Sequence, residues 1–303
     1  MIAKKIGPIA LLIPLVAALG GCAKAPPSEQ AIARVDRQVS DALRKATGDM
    51  DKTIAANPND ARALARRGML YLGADDDAHA QADFDAALRI DPANATGHYG
   101  RAVILDDHGR YTEAIVEYDL SIATDPRAYA SLNARGLAYW HLDKFDAAID
   151  DFTRAISVSD SPLRTSEALE NRGIVYNDKH DPDRALLDYD AALKAYPTAE
   201  HVQYNRAVAL ADKHAYDAAI DAVNIYIRSK PSDADGWRKR GWIYLQTGRP
   251  DLALPDLGQA IKLDPNLAIA YRDRAAVYAK TGQAQLAEAD LKMMRQLQDT
   301  PLP

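Results

Sequence analysis

Small and large apolar residues recur along the chain with a period of 34 residues, and the period repeats seven times from Ala61 onwards. Small residues occupy positions 8 and 20 of each period and position 27 of five of them, and larger apolar residues occupy positions 11 and 24. In the first period these are Gly68, Ala80 and Ala87 with Tyr71 and Phe84. Small residues let two helices approach closely, and large residues fill the space beside them. The pattern therefore predicts one helical hairpin in each period.

Turn-forming and helix-ending residues within each period indicate two helices and two turns. Glycine or histidine near position 15 marks the turn inside the hairpin, and proline at position 32, as in Pro92, closes the second helix because it cannot continue one. One hairpin cannot bury its apolar stripe alone, so neighbours are expected to stack into a solenoid with a concave and a convex face. The predicted hairpins span residues 61–94, 95–128, 129–162, 166–199, 200–233, 234–267 and 268–299, with three extra residues near Pro162.

Glycine at position 8 followed by tyrosine at position 11 is the most specific part of the repeat. The pairs are Gly68–Tyr71, Gly136–Tyr139, Gly173–Tyr176 and Gly241–Tyr244. With the recurring alanine, aromatic and proline positions, they resemble the tetratricopeptide repeat (TPR) family over residues 61–303. The resemblance implies an all-α, right-handed superhelical solenoid of about seven hairpins. It also implies binding of peptides or proteins and only rarely catalysis, without naming a partner.

Residues 1–21 have the layout of a secretory signal. Lys4 and Lys5 precede an apolar run that ends at Leu19 and is too short to span a bilayer comfortably. The sequence Leu-Gly-Gly-Cys that ends at Cys22 resembles the bacterial lipobox, which implies cleavage before Cys22 and a lipid on its sulfur. Cys22 is the one cysteine in the 303 residues. The alternative is an ordinary signal peptide, or a short membrane anchor, with a cysteine there by chance.

Residues 22–30 are predicted to be the lipidated cysteine and a short tether, since Pro26 and Pro27 lie in this segment. By analogy with lipoproteins of Gram-negative bacteria, Ala23 after the cysteine suggests transfer to the outer membrane, facing the periplasm. A mature chain without a reactive thiol suits that oxidising compartment. The expected link to the membrane is therefore the lipid anchor.

Residues 31–60 are predicted to cap the solenoid or to form a degenerate repeat. Apolar residues at helical spacing predict a helix over residues 29–47, which Gly48 is expected to break, and a second helix over residues 49–56. The second helix of the last repeat carries Leu286, Met293, Met294 and Leu297 with no polar helix after it. We expect this end to contact a partner or a second copy, as a homodimer.

Arginine occupies position 7 of all seven repeats, and an acid occupies position 23 of six. Both positions precede a core position, so the two side chains border the seam between the helices. The regularity predicts a structural ion pair, although a ladder of cations for an acidic ligand is the alternative. The predicted pairs are Arg67–Asp83, Arg101–Glu117, Arg135–Asp151, Arg172–Asp188, Arg240–Asp256 and Arg274–Asp290.

The resemblance places a ligand-binding groove on the first helices, at positions 2, 5, 6, 9, 12 and 13. Aromatic and amide side chains there favour an extended peptide, but the aromatic residues would equally serve as packing against neighbouring hairpins. The lysine and asparagine of the family's chaperone-binding clamp are missing, since the repeats pair Tyr99 with Val103 and Arg238 with Trp242. The predicted groove residues are Tyr99, Asn133, Trp140, Glu170, Asn171, Asn177, Tyr204, Asn205, Arg238, Trp242 and Arg272.

Several function classes receive no support. The net charge of −6 and the pI of about 5.7 argue against binding to nucleic acid. The seven histidines lack metal-site spacing, the run Asp75 to Asp77 lacks the pattern of a calcium loop, and there is no phosphate-binding glycine loop or nucleophile elbow. We therefore expect no metal, no cofactor and no catalysis.

The sequence thus predicts a non-catalytic, lipid-anchored periplasmic adaptor whose partners are other envelope proteins or peptides. It looks like TPR lipoproteins that recruit peptidoglycan enzymes, and lipoproteins that assist pilus or secretin assembly are an alternative within that class. A glycan-binding protein, with Trp140 and Trp242 stacked on sugars, is a second alternative. An enzyme subunit or hydrolase with an unrecognised site is a third.

Overall fold

The structure is a computed structural model that describes the backbone of residues 29–299 and the side chains of residues 40–298. The predicted signal peptide, Cys22 and most of the tether lie outside these residues. The described chain is helical, with fifteen helices and no strand. The helices are α1 (Glu29–Ala56), α2 (Ala61–Leu72), α3 (Asp77–Ile90), α4 (Ala95–Asp107), α5 (Tyr111–Thr124), α6 (Tyr129–His141), α7 (Phe145–Val158), α8 (Pro162–Asp178), α9 (Pro182–Ala195), α10 (Glu200–Asp212), α11 (Tyr216–Ser229), α12 (Ala234–Gln246), α13 (Pro250–Leu263), α14 (Ala268–Lys280) and α15 (Ala284–Asp299).

Helices α2 to α15 form the seven predicted hairpins, each made of an even-numbered helix and the odd-numbered helix after it. The small residues at positions 8 and 20 are buried in all seven hairpins. At position 24, Phe84, Tyr118, Phe152, Tyr189, Val223 and Leu257 have no exposed surface. The prediction of an all-α repeat protein is confirmed, and the pairing of small with large residues at the helix seam is its physical basis.

Every hairpin turns through a residue in the left-handed region at position 15. These residues are Asp75, Gly109, Asp143, His180, His214, Gly248 and Gly282, with φ between 56° and 77°. The next amide returns to the carbonyl of position 11, as in Arg110 to Leu105 at 2.9 Å and Arg249 to Tyr244 at 2.8 Å. This pattern satisfies the last carbonyls of the first helix and redirects the chain.

Helix α1 corrects one prediction, because it runs unbroken through Gly48. A single glycine costs a helix about 1 kcal/mol relative to alanine, and packing of the flanking turns outweighs that cost. Ile54 packs against a buried cluster of the first hairpin, and Asp51 accepts a hydrogen bond from Arg67 at 2.8 Å. The end of α1 therefore takes the place that the second helix of a preceding hairpin would occupy, so this segment is not a hairpin of its own.

The chain divides into two compact units, one up to Val158 and the other from Ser159. Helices α1 to α7 belong to the first unit and helices α8 to α15 to the second. The division falls at the three extra residues, which lengthen the start of α8 so that it begins at Pro162. Ser161 caps this helix by accepting a hydrogen bond from the amide of Arg164 at 3.3 Å.

Gly100 offers a sharp test of the packing in the first unit. A Cβ at Gly100 would lie less than 3.0 Å from three atoms of the Phe84 ring, which also contacts Gly68. The ring is completely buried and has nowhere to move. We expect Gly100→Ala to lower the free energy of unfolding by about 2–3 kcal/mol, measured by urea unfolding.

Gly258→Ala is the matched control, because Gly258 lies inside α13 and a Cβ added there would meet no atom within 4 Å beyond its chain neighbours and the backbone of its own helix. This change should stabilise the protein by about 0.5–1 kcal/mol through helix propensity. Equal effects of the two substitutions would contradict the close approach at Phe84.

Candidate ligand-binding face

The arginines at position 7 lie against carboxylates of the second helix of their own hairpin. Arg67, Arg135, Arg172, Arg240 and Arg274 each donate two hydrogen bonds to the aspartate at position 23, at 2.6–2.8 Å. Arg101 approaches Glu117 with a single contact of 3.1 Å. The hydrogen bond that Arg67 donates to Asp83 holds the pKa of Arg67 above its ordinary value. All six predicted pairs thus occur at the helix seam.

Five of the arginines have a second partner on the helix that precedes their hairpin, and the sequence of a single repeat does not reveal it. Its oxygen lies 16 residues before the arginine, at position 25 of the preceding hairpin or, for Arg67, on α1. The pairs are Asp51 with Arg67, Asp85 with Arg101, Asp119 with Arg135, Asp190 with Arg206 and Asn224 with Arg240. One guanidinium therefore joins two hairpins, which explains why arginine occupies this position, since its planar fork holds several oxygens at once.

The arginine ladder has its donors engaged in these contacts and lies beside tyrosines. Arg67 lies 5.9 Å from the ring centre of Tyr71, and Arg274 lies 5.8 Å from that of Tyr278. Such cation–π contacts support packing at the seam. The arrangement therefore favours a stacking role for the ladder over a role in binding an acidic ligand.

The predicted groove residues of α8 and α10 form a buried polar cluster. Glu170 accepts hydrogen bonds from Asn205 and His201, both at 2.7 Å, and its side chain is almost fully buried. The hydrogen bond to Glu170 raises the pKa of His201. Glu170 thus joins two neighbouring first helices, and its carboxylate is already occupied.

A second polar cluster joins α10, α12 and α14. Buried Arg238 donates to Asp273 at 3.2 Å, to Asp235 at 3.3 Å and to the hydroxyl of Tyr204 at 3.4 Å. Arg272 donates to the same Asp273 at 3.1 Å and 3.3 Å. Position 5 of one hairpin meets position 6 of the next in both clusters, so these side chains build the wall between first helices.

Three of the predicted groove residues are buried, which changes their interpretation. Asn133, Glu170 and Arg238 are at most 8% exposed, so none presents an open surface to a ligand. All three stand at position 5, where Glu170 and Arg238 contact the neighbouring first helix, whereas Arg272 at position 5 of the last hairpin is exposed. These three residues are corrected from ligand contacts to structural contacts.

Trp242 is half-buried on α12, where it packs against the buried cluster that contains Ile220 and Val223. Lys239 lies one turn before it, with its ammonium 5.4 Å from the ring centre. Tyr204 on α10 is half-buried, with its ring 5.3 Å from that of Tyr226. Arg272 is exposed on α14. Helices α10, α12 and α14 therefore combine partly accessible aromatic and cationic groups with a fixed polar wall. We name Tyr204, Lys239, Trp242 and Arg272 the α10–α14 face.

The predicted groove residues of the first unit are largely engaged in ring packing. Tyr99 lies 6.1 Å from the buried ring of Tyr118. Trp140 lies 4.9 Å from the ring of His141, which in turn stacks on Tyr111 at 4.5 Å. Ring packing also engages Tyr204 in the second unit, so the packing interpretation applies to aromatic residues of both units.

Two hairpins carry a buried polar pair where the others are apolar. Positions 12 and 24 pack together as Leu72 with Phe84 and as Leu245 with Leu257. The second and fourth hairpins have instead a polar residue at position 12 and a tyrosine at position 24. These pairs are Asp106 with Tyr118 and Asn177 with Tyr189, and in the described chain one oxygen of each polar residue and both hydroxyls are buried without a hydrogen-bond partner.

Other candidate chemistry is sparse in the described chain. From Ser40 to Gln298, no three side chains of histidine, cysteine, aspartate or glutamate come together in a way that would hold a metal ion. Across residues 29–299, each helix falls short of the length or the apolar character that a bilayer crossing requires. On α15, Leu286 and Met293 are exposed, whereas Met294 and Leu297 are half-buried.

Family comparisons agree with this geometry. Family profiles described as tetratricopeptide repeat match residues 66–125, 129–162 and 170–234, and one described as TPR repeat matches residues 241–282. Together they cover more than half of the chain.

Individual relatives share the repeat at low identity. Human tetratricopeptide repeat protein 6 is 28% identical over 152 residues, which are 49% of this chain and 28% of that protein. The APC/C hetero-tetramer Cut9–Hcn1 has a TM-score of 0.63 at 20% identity, over 82% of this chain and 46% of that one. YrrB, titled a TPR protein with an unusual peptide-binding site, has a TM-score of 0.50 at 20% identity, over 62% and 95%. The chain thus spans less than half the length of the first two, and these structures support the fold alone.

Proposed function

The chain belongs to the tetratricopeptide repeat family, and from this premise we propose that it is a non-catalytic scaffold that binds a peptide segment of a partner protein on the α10–α14 face. Stacked helical hairpins act as interaction scaffolds because each hairpin adds a strip of side chains to a continuous surface. YrrB, which shares the fold, is a TPR protein with an unusual peptide-binding site. The extension to this chain depends on its own residues.

The observation that carries the proposal is the combination of partly exposed aromatic groups with a rigid polar wall. Trp242 and Tyr204 are half-buried, so part of each ring stays accessible. Arg238 is fixed by hydrogen bonds to Asp235, to Asp273 and to the hydroxyl of Tyr204. A wall fixed before binding loses little conformational entropy when the ligand arrives. Tryptophan and tyrosine are the residues that most often anchor a protein ligand.

We place this scaffold at the inner surface of the outer membrane, held by a lipid on Cys22, as an adaptor for other envelope proteins. The support is the sequence of the first 22 residues, with its basic start, short apolar run and lipobox-like ending. Two or three acyl chains would make such an anchor effectively permanent, at about 0.8 kcal/mol for each buried methylene.

Affinity capture from the native envelope, followed by mass spectrometry, tests the proposal. The lipidated protein is compared with Trp242→Ala, which removes the aromatic anchor, and with Leu187→Ala as the matched control. Leu187 lies on α9, the second helix of its hairpin, and is 70% exposed, so truncating its side chain leaves no cavity. We expect Trp242→Ala to reduce capture of the partner at least about tenfold, which corresponds to 1.4 kcal/mol, and Leu187→Ala to leave it unchanged.

Cys22→Ser tests the anchor separately from the binding face. The serine variant should leave the membrane fraction, while its purified form should still bind the captured partner. Recovery of cytosolic proteins alone would overturn the location, and equal capture by the Trp242 and Leu187 variants would overturn the binding face. Capture of glycan strands in place of protein would favour the sugar-binding alternative.

A further inference from the structure

Position 4 of the repeat connects three of the hairpins to the turn that precedes them. The side chains of His98, Trp237 and Tyr271 each lie 2.9–3.1 Å from the carbonyl oxygen of the proline six residues earlier. A carbonyl oxygen only accepts hydrogen bonds, so the side chain is the donor in each case, as the indole N–H of Trp237 is. Nε2 of His98 therefore carries a proton.

The other ring nitrogen of His98 also faces an acceptor. Nδ1 lies 2.7 Å from Oε2 of Glu117 on α5, and the two side chains are only 10% and 13% exposed. Arg101 lies 3.1 Å from Oε1 of the same carboxylate, and a cation there favours the ionised form of Glu117. An ionised carboxylate only accepts hydrogen bonds, so Nδ1 of His98 carries a proton as well.

The second hairpin differs from the other hairpins at this point in two ways. Glu117 is the one glutamate among the six acids at position 23. Its partner Arg101 is 36% exposed, whereas the arginines that bind an aspartate at position 23 are 13–22% exposed. The longer side chain of Glu117 thus contacts two basic groups, and the second of them is His98.

Other charged groups around α4 are engaged elsewhere or face solvent. Arg101 also lies 3.7 Å from Asp85 on α3. Further ion pairs of the helices that pack against α4 are Arg67–Asp83, Arg110–Glu113 and Arg135–Asp119. The exposed groups are Arg62, Arg66, His79 and Arg89. Glu117 is therefore the carboxylate that balances a charge on His98.

We propose that His98 is a doubly protonated bridge between the first two hairpins and that loss of one proton breaks it. The imidazolium donates to the carbonyl of Pro92, at the end of the first hairpin, and to Glu117 in the second. We name these three residues the His98 bridge. It is separate from the α10–α14 face and does not depend on the proposed peptide binding.

The His98 bridge makes the junction between these hairpins sensitive to pH. A neutral imidazole has one N–H, so the ring has to release either Pro92 or Glu117 when it loses a proton. Histidine changes its charge between about pH 5 and 8. The stabilisation is therefore complete while the ring is charged and is lost as the pH rises.

Nitrogen-15 NMR of the histidine rings at pH 7 tests the protonation state. We expect His98 to show two ring N–H groups that exchange slowly with water, and Glu117→Gln to reduce them to one. His79 is the control, because its Nδ1 also contacts a carboxylate, that of Asp76, at 2.8 Å, but the ring is exposed and its protons should exchange fast. A single ring N–H on His98 in the wild type, or two in Glu117→Gln, would overturn the bridge.

A stability measurement tests the response to pH apart from Asp106, whose pKa burial raises to about 7. Both proteins compared carry Asp106→Asn, and one also carries His98→Gln, since glutamine occupies position 4 of the fifth hairpin as Gln203. Between pH 6 and 8, we expect the folding equilibrium constant of the protein with His98 to fall about tenfold relative to that of the glutamine variant. A constant ratio would overturn the sensitivity to pH. The NMR comparison decides the proposal if His98→Gln does not fold.

Discussion

Replacement of Arg135 by methionine is expected to lower the free energy of unfolding by about 3 kcal/mol. Methionine keeps much of the aliphatic packing but leaves Asp151, whose side chain is 4% exposed, with only Arg154 at 3.8 Å. A buried carboxylate without its partner keeps the cost of desolvation and loses the attraction that offset it. Urea unfolding of the wild type and the variant gives the difference.

The fifth hairpin contains the matched control. Arg206 has Ala222 in place of the acid at position 23 and binds Asp190, which is 59% exposed. Arg206→Met should therefore cost less than about 1 kcal/mol, as exposed pairs do. The double variant Arg135→Met/Asp151→Leu should be more stable than Arg135→Met alone, because it removes the orphaned charge. Equal losses in the two hairpins would show that the seam pair contributes nothing specific.

The second large effect concerns Asp106 and depends on pH. Burial, followed by the charge of Asp107, raises the pKa of Asp106 from 3.8 to about 7. Between pH 3.8 and about 7, Asp106 therefore stays protonated in the folded protein but is ionised in the unfolded chain. The free energy of unfolding accordingly falls as the pH rises from about 4 to 7. At 1.36 kcal/mol for each unit, this loss reaches about 4 kcal/mol at most.

Asp106→Asn should remove that pH dependence, because an amide does not titrate in this range. The fourth hairpin already has an asparagine at this position, since Asn177 accompanies Tyr189. We expect the variant and the wild type to be similar near pH 4 and the variant to be several kcal/mol more stable near pH 8. Asp107→Asn is the control, since Asp107 is exposed, and it should have a small effect. A constant difference between wild type and Asp106→Asn across this range would refute the buried acid.

The hairpins were predictable from the sequence because each of them repeats one packing solution. The ring of Phe84 packs against Gly68. In the same way, the ring of Phe152 packs against Gly136 and that of Tyr189 packs against Gly173. The same repetition exposed the arginine at position 7 and its acid at position 23. Seven agreeing copies outweigh the weak local propensity of any one segment.

Two structural features escaped that reasoning for different physical causes. Gly48 was expected to end a helix, but its neighbours pack well enough to carry the helix across it. The second arginine partner at position 25 belongs to another hairpin, so it was invisible when each repeat was considered by itself. A constant offset of 16 residues, as between Asp119 and Arg135, was the signal that would have revealed it.

The binding face was only partly predictable. Family resemblance gave the positions that line the first helices, but not which side chains stay open. Burial of Glu170 and Arg238 depends on the residue that the next hairpin offers opposite them, Asn205 and Asp273.

Site-specific photo-crosslinking in the living cell tests the central claim most directly. A benzophenone amino acid replaces Trp242 in one variant and Leu187 in the other, so that the α10–α14 face is compared with the exposed side of a second helix. The account predicts a discrete crosslinked partner from position 242 and none from position 187. A partner that crosslinks only at position 187, or equally at both, would contradict it.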